Sequence, residues 1–211
     1  PVITKPTQFD SINRFALEIN QRFANDNRRL ISFAGIHPKC DDIPKKMRFI
    51  KENGFVGVKI HPDIQKVKLD DSRMLKMYQL CEGKLPILIH TGDCRYDYSN
   101  PNRMLPILDI YKNLTVIGAH FGGWSMWEDA WKDYAGRENF FVDCSSSLYA
   151  ISPEKAKELI HAYGTDRVLF GTDYPLWSPE REIERFMQVD LSEKEREDIF
   201  YNNAAKLFGI K

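Results

Sequence analysis

Hydrophobic positions along the chain switch between two spacings. Ile12, Phe15, Ala16, Ile19 and Phe23 lie three or four apart, which marks the apolar stripe of a helix packed on one face. Leu30 to Ile36 is instead a short, nearly unbroken apolar run, the pattern of a strand buried on both sides. The alternation continues. Pro44 to Asn53 reads as a helix stopped by Gly54, and Phe55 to Ile60 as a strand. Ser72 to Glu82, Asn102 to Tyr111 and Trp124 to Tyr134 read as helices; Pro86 to Ile89, Thr115 to Ala119 and Phe140 to Val142 read as the strands between and after them. Ser152-Pro153 supplies an N-cap and a first-turn proline for a helix that Gly164 closes. Val168 to Phe170 is the final strand, Ser178-Pro179 opens another helix, and Ser192 with Glu195 makes a capping box for a terminal helix ended by Gly209.

Repeated strand–helix units imply a parallel sheet with helices on its faces. No linker or low-complexity tract interrupts residues 1–211, which are expected to form a single domain. Two architectures fit, an open doubly wound sheet and a closed (β/α)8 TIM-type barrel. Polar residues choose between them. His37, Lys59 with His61, His90, His120, Asp143 with Ser145, and Asp173 stand at or just after the ends of successive strands. A barrel collects every strand's C-terminal end at one mouth, where catalytic groups gather. A doubly wound sheet uses chiefly the ends beside its switch point, usually with a Gly-rich phosphate loop, and neither G-x-G-x-x-G nor G-x-x-x-x-G-K-[ST] occurs. The barrel is favoured.

Composition mainly excludes. Lys+Arg and Asp+Glu number 30 each, for a formal net charge of zero, so the basic surplus of a nucleic-acid binder is missing. No apolar stretch approaches the roughly 18 residues of a membrane span, and no signal segment opens the chain. Cys40, Cys81, Cys94 and Cys144 are scattered, without a C-x-x-C pair, as expected of free thiols in the cytoplasm. Cys94 and Cys144 fall near strand ends, but no partner His at fixed spacing marks either as a nucleophile. The expected partner is a small-molecule substrate, with no nucleic acid and no membrane; a homodimer stays open.

Four of the 5 histidines end strands, and only His161 lies in a helix. One strand-end His is usually a satisfied core or turn residue. Four at equivalent positions, joined by Asp173, suit a divalent metal ion such as Zn²⁺, which would activate a water or polarise a substrate oxygen.

Leu88-Ile89-His90-Thr91-Gly92, Ile117-Gly118-Ala119-His120-Phe121-Gly122-Gly123 and Leu169-Phe170-Gly171-Thr172-Asp173-Tyr174-Pro175 resemble the later strand motifs of the amidohydrolase superfamily. They are closest to its amidohydrolase-2 branch, the aminocarboxymuconate-semialdehyde decarboxylase-like metal-dependent hydrolases. The resemblance implies a metal-dependent (β/α)8 enzyme with one zinc-type ion, or two. It makes His90 a metal ligand and Asp173 a ligand and proton handler. His120 becomes a ligand in a binuclear site or an acid–base residue in a mononuclear one. The family's first-strand His-x-His has no counterpart in this sequence. Aligning the motifs makes Leu30–Ile36 the family's third strand and Pro1-Val2-Ile3 the end of its second. The chain is therefore expected to lack the first βα unit and most of the second strand of a barrel of about 250 residues, and an upstream segment is expected in the natural protein. Without that segment, backbone donors and acceptors along the Val168–Phe170 strand would be exposed, so the pairing of that strand is the check on this expectation.

Other residues are candidates for substrate binding. Lys59 sits where binuclear relatives carry a bridging carboxylated lysine; it could equally bind a substrate carboxylate or form an ion pair. His61 shares the face of Lys59, and His37 ends the first full strand. Arg95 could clamp an anionic substrate, and Trp124 lies close enough to His120 in sequence to line the mouth, although Trp124, Trp127, Trp131 and Tyr134 at helical spacing more often form core. Hydrolysis of a C–N or C–O bond by activated water is the leading functional expectation. Non-oxidative decarboxylation of a small carboxylic acid on the same site is the alternative, and a catalytically silent ligand-binding barrel the second alternative.

Overall fold

The structure is a computed structural model that describes residues 1–24 and 30–210. Helix α1 (Phe9–Arg22) precedes the two-residue β1 (Ala34–Gly35). Then α2 (Ile43–Glu52), β2 (Val58–Ile60), the short α3 (Pro62–Gln65), α4 (Ser72–Cys81), β3 (Ile87–Ile89), α5 (Pro101–Ile110) and β4 (Val116–Gly118) follow. The remainder is α6 (Ala130–Tyr134), β5 (Phe140–Asp143), α7 (Pro153–Tyr163), β6 (Val168–Leu169), α8 (Pro179–Met187), α9 (Glu193–Glu197), a π-helical turn at Asp198–Asn202, and α10 (Asn203–Phe208). Strand order follows chain order.

These residues gather into two compact units, Pro1–Ile89 with Tyr96–Val116, and His90–Arg95 with Ile117–Lys211. In the first, β1, β2 and β3 are parallel, with Gly35 opposite Lys59 and Lys59 opposite Leu88. The Ile87 N–H donates to Thr115 O at 2.9 Å, which brings in the start of β4. Ile36, Val58, Ile60, Ile87 and Ile89 are fully buried, as are Met74, Met77 and Tyr78 of α4. In the second unit β5 and β6 are parallel, Asp143 lying opposite Leu169. Its core contains Tyr134 stacked on Phe140 at 4.2 Å and the ring cluster of Phe170, Phe186 and Phe200.

Caps fall at Ser152, Ser178 and Ser192 as expected, and Asp42, Asp71 and Asn100 add three more. Asp42, Asp71, Asn100, Ser152, Ser178 and Ser192 each accept a first-turn N–H through the side chain, satisfying a donor the helix cannot. Two expectations need correction. The helix expected over 124–134 begins only at Ala130. His120, Phe121, Gly122 and Ser125 all have positive φ, and the Trp124 N–H donates to Thr91 O at 2.8 Å instead of to a helical carbonyl. Pro1–Ile3 forms no strand; Ile3 is a buried plug whose carbonyl accepts from Gln65 Nε2 at 2.8 Å. Among the described residues no helix is long and apolar enough to cross a membrane.

Candidate active site

Glycines shape the second unit's loops that carry His90 and His120. Gly92 has φ +76°, and a Cβ there would lie 2.6 Å from the Gly123 carbonyl carbon. The His90-Thr91-Gly92 and His120-to-Gly123 segments therefore pack backbone to backbone. Thr91 Oγ1 donates to Ala119 O at 3.0 Å, locking the two segments together.

That packing brings His90 and His120 into contact. Both are buried, and His120 Nε2 lies 3.0 Å from His90 Nδ1. Elementary donor–acceptor accounting sets their tautomers. His120 Nδ1 is 2.9 Å from the Ser145 carbonyl oxygen, which can only accept. It is also 2.9 Å from Ser145 Oγ, whose hydrogen is directed to Asp143 Oδ1 at 2.5 Å. Nδ1 of His120 therefore carries the proton. In the neutral ring Nε2 is then the acceptor, so His90 Nδ1 must donate to it. Neutral His90 consequently presents its lone pair on Nε2, the arrangement of a metal-ligating histidine whose other nitrogen donates to a neighbour.

Asp143 anchors this assembly. Its Oδ1 accepts from the His120 N–H at 3.1 Å and from the Ser145 N–H at 3.0 Å, as well as from Ser145 Oγ. Asp173 follows β6 in a left-handed conformation (φ 58°), and its exposed carboxylate accepts from Ser146 Oγ at 2.7 Å. Arg95 is oriented by a bidentate pair with Asp93 (2.9 and 2.8 Å) and lies 5.2 Å over the Trp124 ring. Trp124 is 6.5 Å from the His90 ring, and the Trp127 indole N–H donates to His120 O at 3.0 Å.

Of the residues singled out from sequence, His90, His120, Asp173, Arg95 and Trp124 thus lie in the second unit. His37, Lys59 and His61 lie in the first. His37 is buried with Nδ1 accepting from the Lys39 N–H at 3.0 Å. Burial, then the charges of Lys39 and Arg73, hold its pKa below the usual histidine value. Lys59 is half-buried in the middle of β2, and His61 precedes α3 with its N–H donating to Gln65 Oε1 at 3.1 Å. Cys144 is fully buried, and burial pushes its thiol up to about 12. Sequence reasoning noted Asp143 and Ser145 only as strand-end residues and passed over Ser146. The run Ser145-Ser146-Ser147 directly after a strand was the available signal. In the first unit it passed over Asp63, buried two residues after His61, which accepts from Ser99 Oγ at 2.5 Å.

The donor set fits a divalent cation. Neutral imidazole with Nε2 presented, plus the carboxylate of Asp173 in the same unit, is the chemistry of Zn²⁺, Mn²⁺ and similar ions.

The parallel α/β architecture is that of the TIM-barrel enzymes, and the amidohydrolase family matches residues 1–210. The chain belongs to that family. A γ-resorcylate decarboxylase of Polaromonas sp. strain JS666 is 30% identical over 127 residues, a match covering 49% of this chain and 37% of the relative. The match therefore spans little more than a third of that relative's length. Among solved structures, a dihydroxybenzoic acid decarboxylase from Polaromonas sp. JS666, with bound manganese and the inhibitor 2-nitroresorcinol, superposes with a TM-score of 0.72. It is 20% identical, over 99% of this chain and 78% of that one. A 5-carboxyvanillate decarboxylase from Sphingomonas paucimobilis gives a TM-score of 0.78 at 16% identity, over 98% of this chain and 75% of that one.

Proposed function

We propose that this protein is a metal-dependent, non-oxidative decarboxylase of a small carboxylic acid, aromatic acids being the first class to test. The observation that carries the reading is the tautomer-ordered His90–His120 pair in the same unit as a tethered Asp173 carboxylate. The curated relative and the structural neighbours described above, all decarboxylases, support it over the hydrolysis expected first from sequence. Hydrolysis would use the same residues.

His90, through Nε2, and Asp173 would hold the cation. When bound, it supplies Lewis-acid polarisation and orients the substrate's carboxylate. Arg95, already aligned by Asp93 and Trp124, receives the substrate's negative charge. As the carbon–carbon bond to the carboxylate breaks, its electron pair stays on the substrate carbon and carbon dioxide leaves. A proton taken up from solvent and delivered through Asp173, or through His120 once its ring is protonated, then completes the new C–H bond. Lys59 on β2, and His61 and His37 after strand ends, are kept as substrate-binding candidates on their positions in the chain alone. A cytoplasmic location and a homodimer are proposals of the same standing.

The test is a screen of hydroxybenzoates and small esters and amides with Mn²⁺ or Zn²⁺, following carbon dioxide and hydrolysis products together. Metal-dependent carbon dioxide release is the expected result, and manganese, the ion in the Polaromonas relative, is expected to serve at least as well as zinc. Ester or amide cleavage without carbon dioxide release would overturn the reading.

A further inference from the structure

Asp173 is exposed at the surface of its unit, and an exposed carboxylate samples several rotamers unless something holds it. Among the described residues a serine hydroxyl holds it. Ser146 is buried, and its Oγ donates to Asp173 Oδ2 at 2.7 Å while accepting the Trp177 indole N–H at 3.0 Å. The donor from Trp177 fixes the direction of the hydroxyl hydrogen, because the indole N–H can only donate. Trp177 is in turn held by a stack on Tyr149 at 4.6 Å and by the Arg185 guanidinium 4.9 Å from its ring.

The backbone supplies a second, independent observation. Ser146 sits at φ 46°, a left-handed conformation that an ordinary residue adopts only at a cost and that glycine adopts freely. His120 (φ 61°) and Asp173 (φ 58°) share it. A stability-optimised sequence would place glycine at Ser146, as it does at Gly92 and Gly122 of the same unit. Backbone strain kept at a position whose side chain touches the candidate proton donor points to function at that side chain. Its neighbour Ser145 contacts His120, so consecutive serines reach the two candidate proton handlers on the strands either side of β5.

We propose that Ser146 is a positioning residue for Asp173, acting through its hydroxyl with Trp177 behind it. This rests on the assignment of Asp173 as metal ligand and proton donor. The experiment compares wild type, Ser146→Ala, Ser146→Gly and Trp177→Phe. It measures Mn²⁺ dissociation constants by titration calorimetry, kcat and KM for whichever acid wild type decarboxylates, and Tm.

Outer residues that orient metal ligands typically contribute 10–100-fold. Ser146→Ala and Ser146→Gly are therefore expected to weaken Mn²⁺ binding and lower kcat by about that factor, with KM nearly unchanged. Ser146→Gly is also expected to keep or raise Tm, since it relieves the left-handed residue. That combination separates positioning from folding, because a merely structural serine would lose Tm and activity together. Trp177→Phe keeps a ring for the Tyr149 stack, loses the N–H donor, and should give a smaller loss in the same direction. Wild-type Mn²⁺ affinity and kcat in both serine variants would overturn the proposal while leaving the decarboxylase reading intact. A wild-type protein that neither binds Mn²⁺ nor releases carbon dioxide would overturn that reading and this inference with it.

Discussion

At the scale of single residues, chemistry is concentrated where donors and acceptors are forced into one arrangement. The Ser145 carbonyl orders His120, His120 orders His90, and Asp143 Oδ1 holds the backbone of both His120 and Ser145. Removing that carboxylate strands the His120 and Ser145 N–H groups. Hydrogen bonds to a charged acceptor contribute about 1.5–3 kcal/mol each, non-additively. Asp143→Ala should therefore cost about 3 kcal/mol in urea unfolding and lower kcat by at least tenfold. Asp143→Asn keeps an oxygen for the same donors and should lose less of both. A cost for Asp143→Ala below about 1 kcal/mol would remove Asp143 from its anchoring role. His90, His120 and Asp173 were legible as candidates because strand ends in a parallel sheet collect chemistry. The order imposed on them was not, because it runs through a main-chain carbonyl and through serines, and neither leaves a mark on hydrophobic spacing.

At the scale of elements, periodicity located α1, α2, α4, α5 and α7, and caps marked the starts of α7, α8 and α9. Periodicity failed at Trp124 and Trp127, where helical spacing arose without a helix. There the indole of Trp127 and the N–H of Trp124 serve the His120 and Thr91 carbonyls, so large side chains recur because a loop must be covered. The α9 cap shows the opposite case, a local signature that the tertiary structure reinforces. Glu195 accepts from the Ser192 N–H and Oγ at 2.7 Å each and lies 2.9 Å from His161 Nε2 on α7. The Ser192 contacts first, and His161 after them, depress its pKa from 4.5 to about 2. A carboxyl depressed by folding contributes stability that is complete above its unfolded pKa and is lost as pH falls through the folded one. Wild type should accordingly lose stability between pH 4.5 and 2 in part through this group. In Glu195→Ala, the neutral-pH Tm should drop by a few degrees and that portion of the acid slope should vanish. Equal acid slopes in the two proteins, measured by thermal denaturation at several pH values, would show that the cap is not the responsible group.

At the scale of the whole molecule, the strand missing beside Val168–Phe170 was expected to leave that backbone without partners unless an upstream segment supplied them, and in the structure side chains and helix ends meet it. In the second unit Asn203 Nδ2 donates to Val168 O at 2.8 Å and to Thr165 O at 2.7 Å, and the Phe170 N–H donates to Ile199 O at 2.9 Å. In the first unit Asn13 does the same for β1. Its Oδ1 accepts the Gly35 N–H and its Nδ2 donates to Gly35 O, each at 2.9 Å, imitating the pairing of a neighbouring strand. Both asparagines are buried, and a buried backbone group left without a partner costs about 1–3 kcal/mol. Asn13→Ala strands both polar groups of Gly35 and should lower unfolding free energy by about 2–4 kcal/mol. Asn13→Asp is the sharper probe, since it keeps the acceptor for Gly35 N–H but replaces the donor with an oxygen facing Gly35 O. It should therefore be no better than alanine despite its nearly identical shape. Asn203→Ala removes only donors to carbonyls, which tolerate loss of a partner more readily than N–H groups do, so its cost should be smaller, about 1–2 kcal/mol. Urea unfolding of the three variants supplies the check. If Asn13→Asp matched wild type, the side chain could not be standing in for a strand, and closure of that edge would have to come from elsewhere.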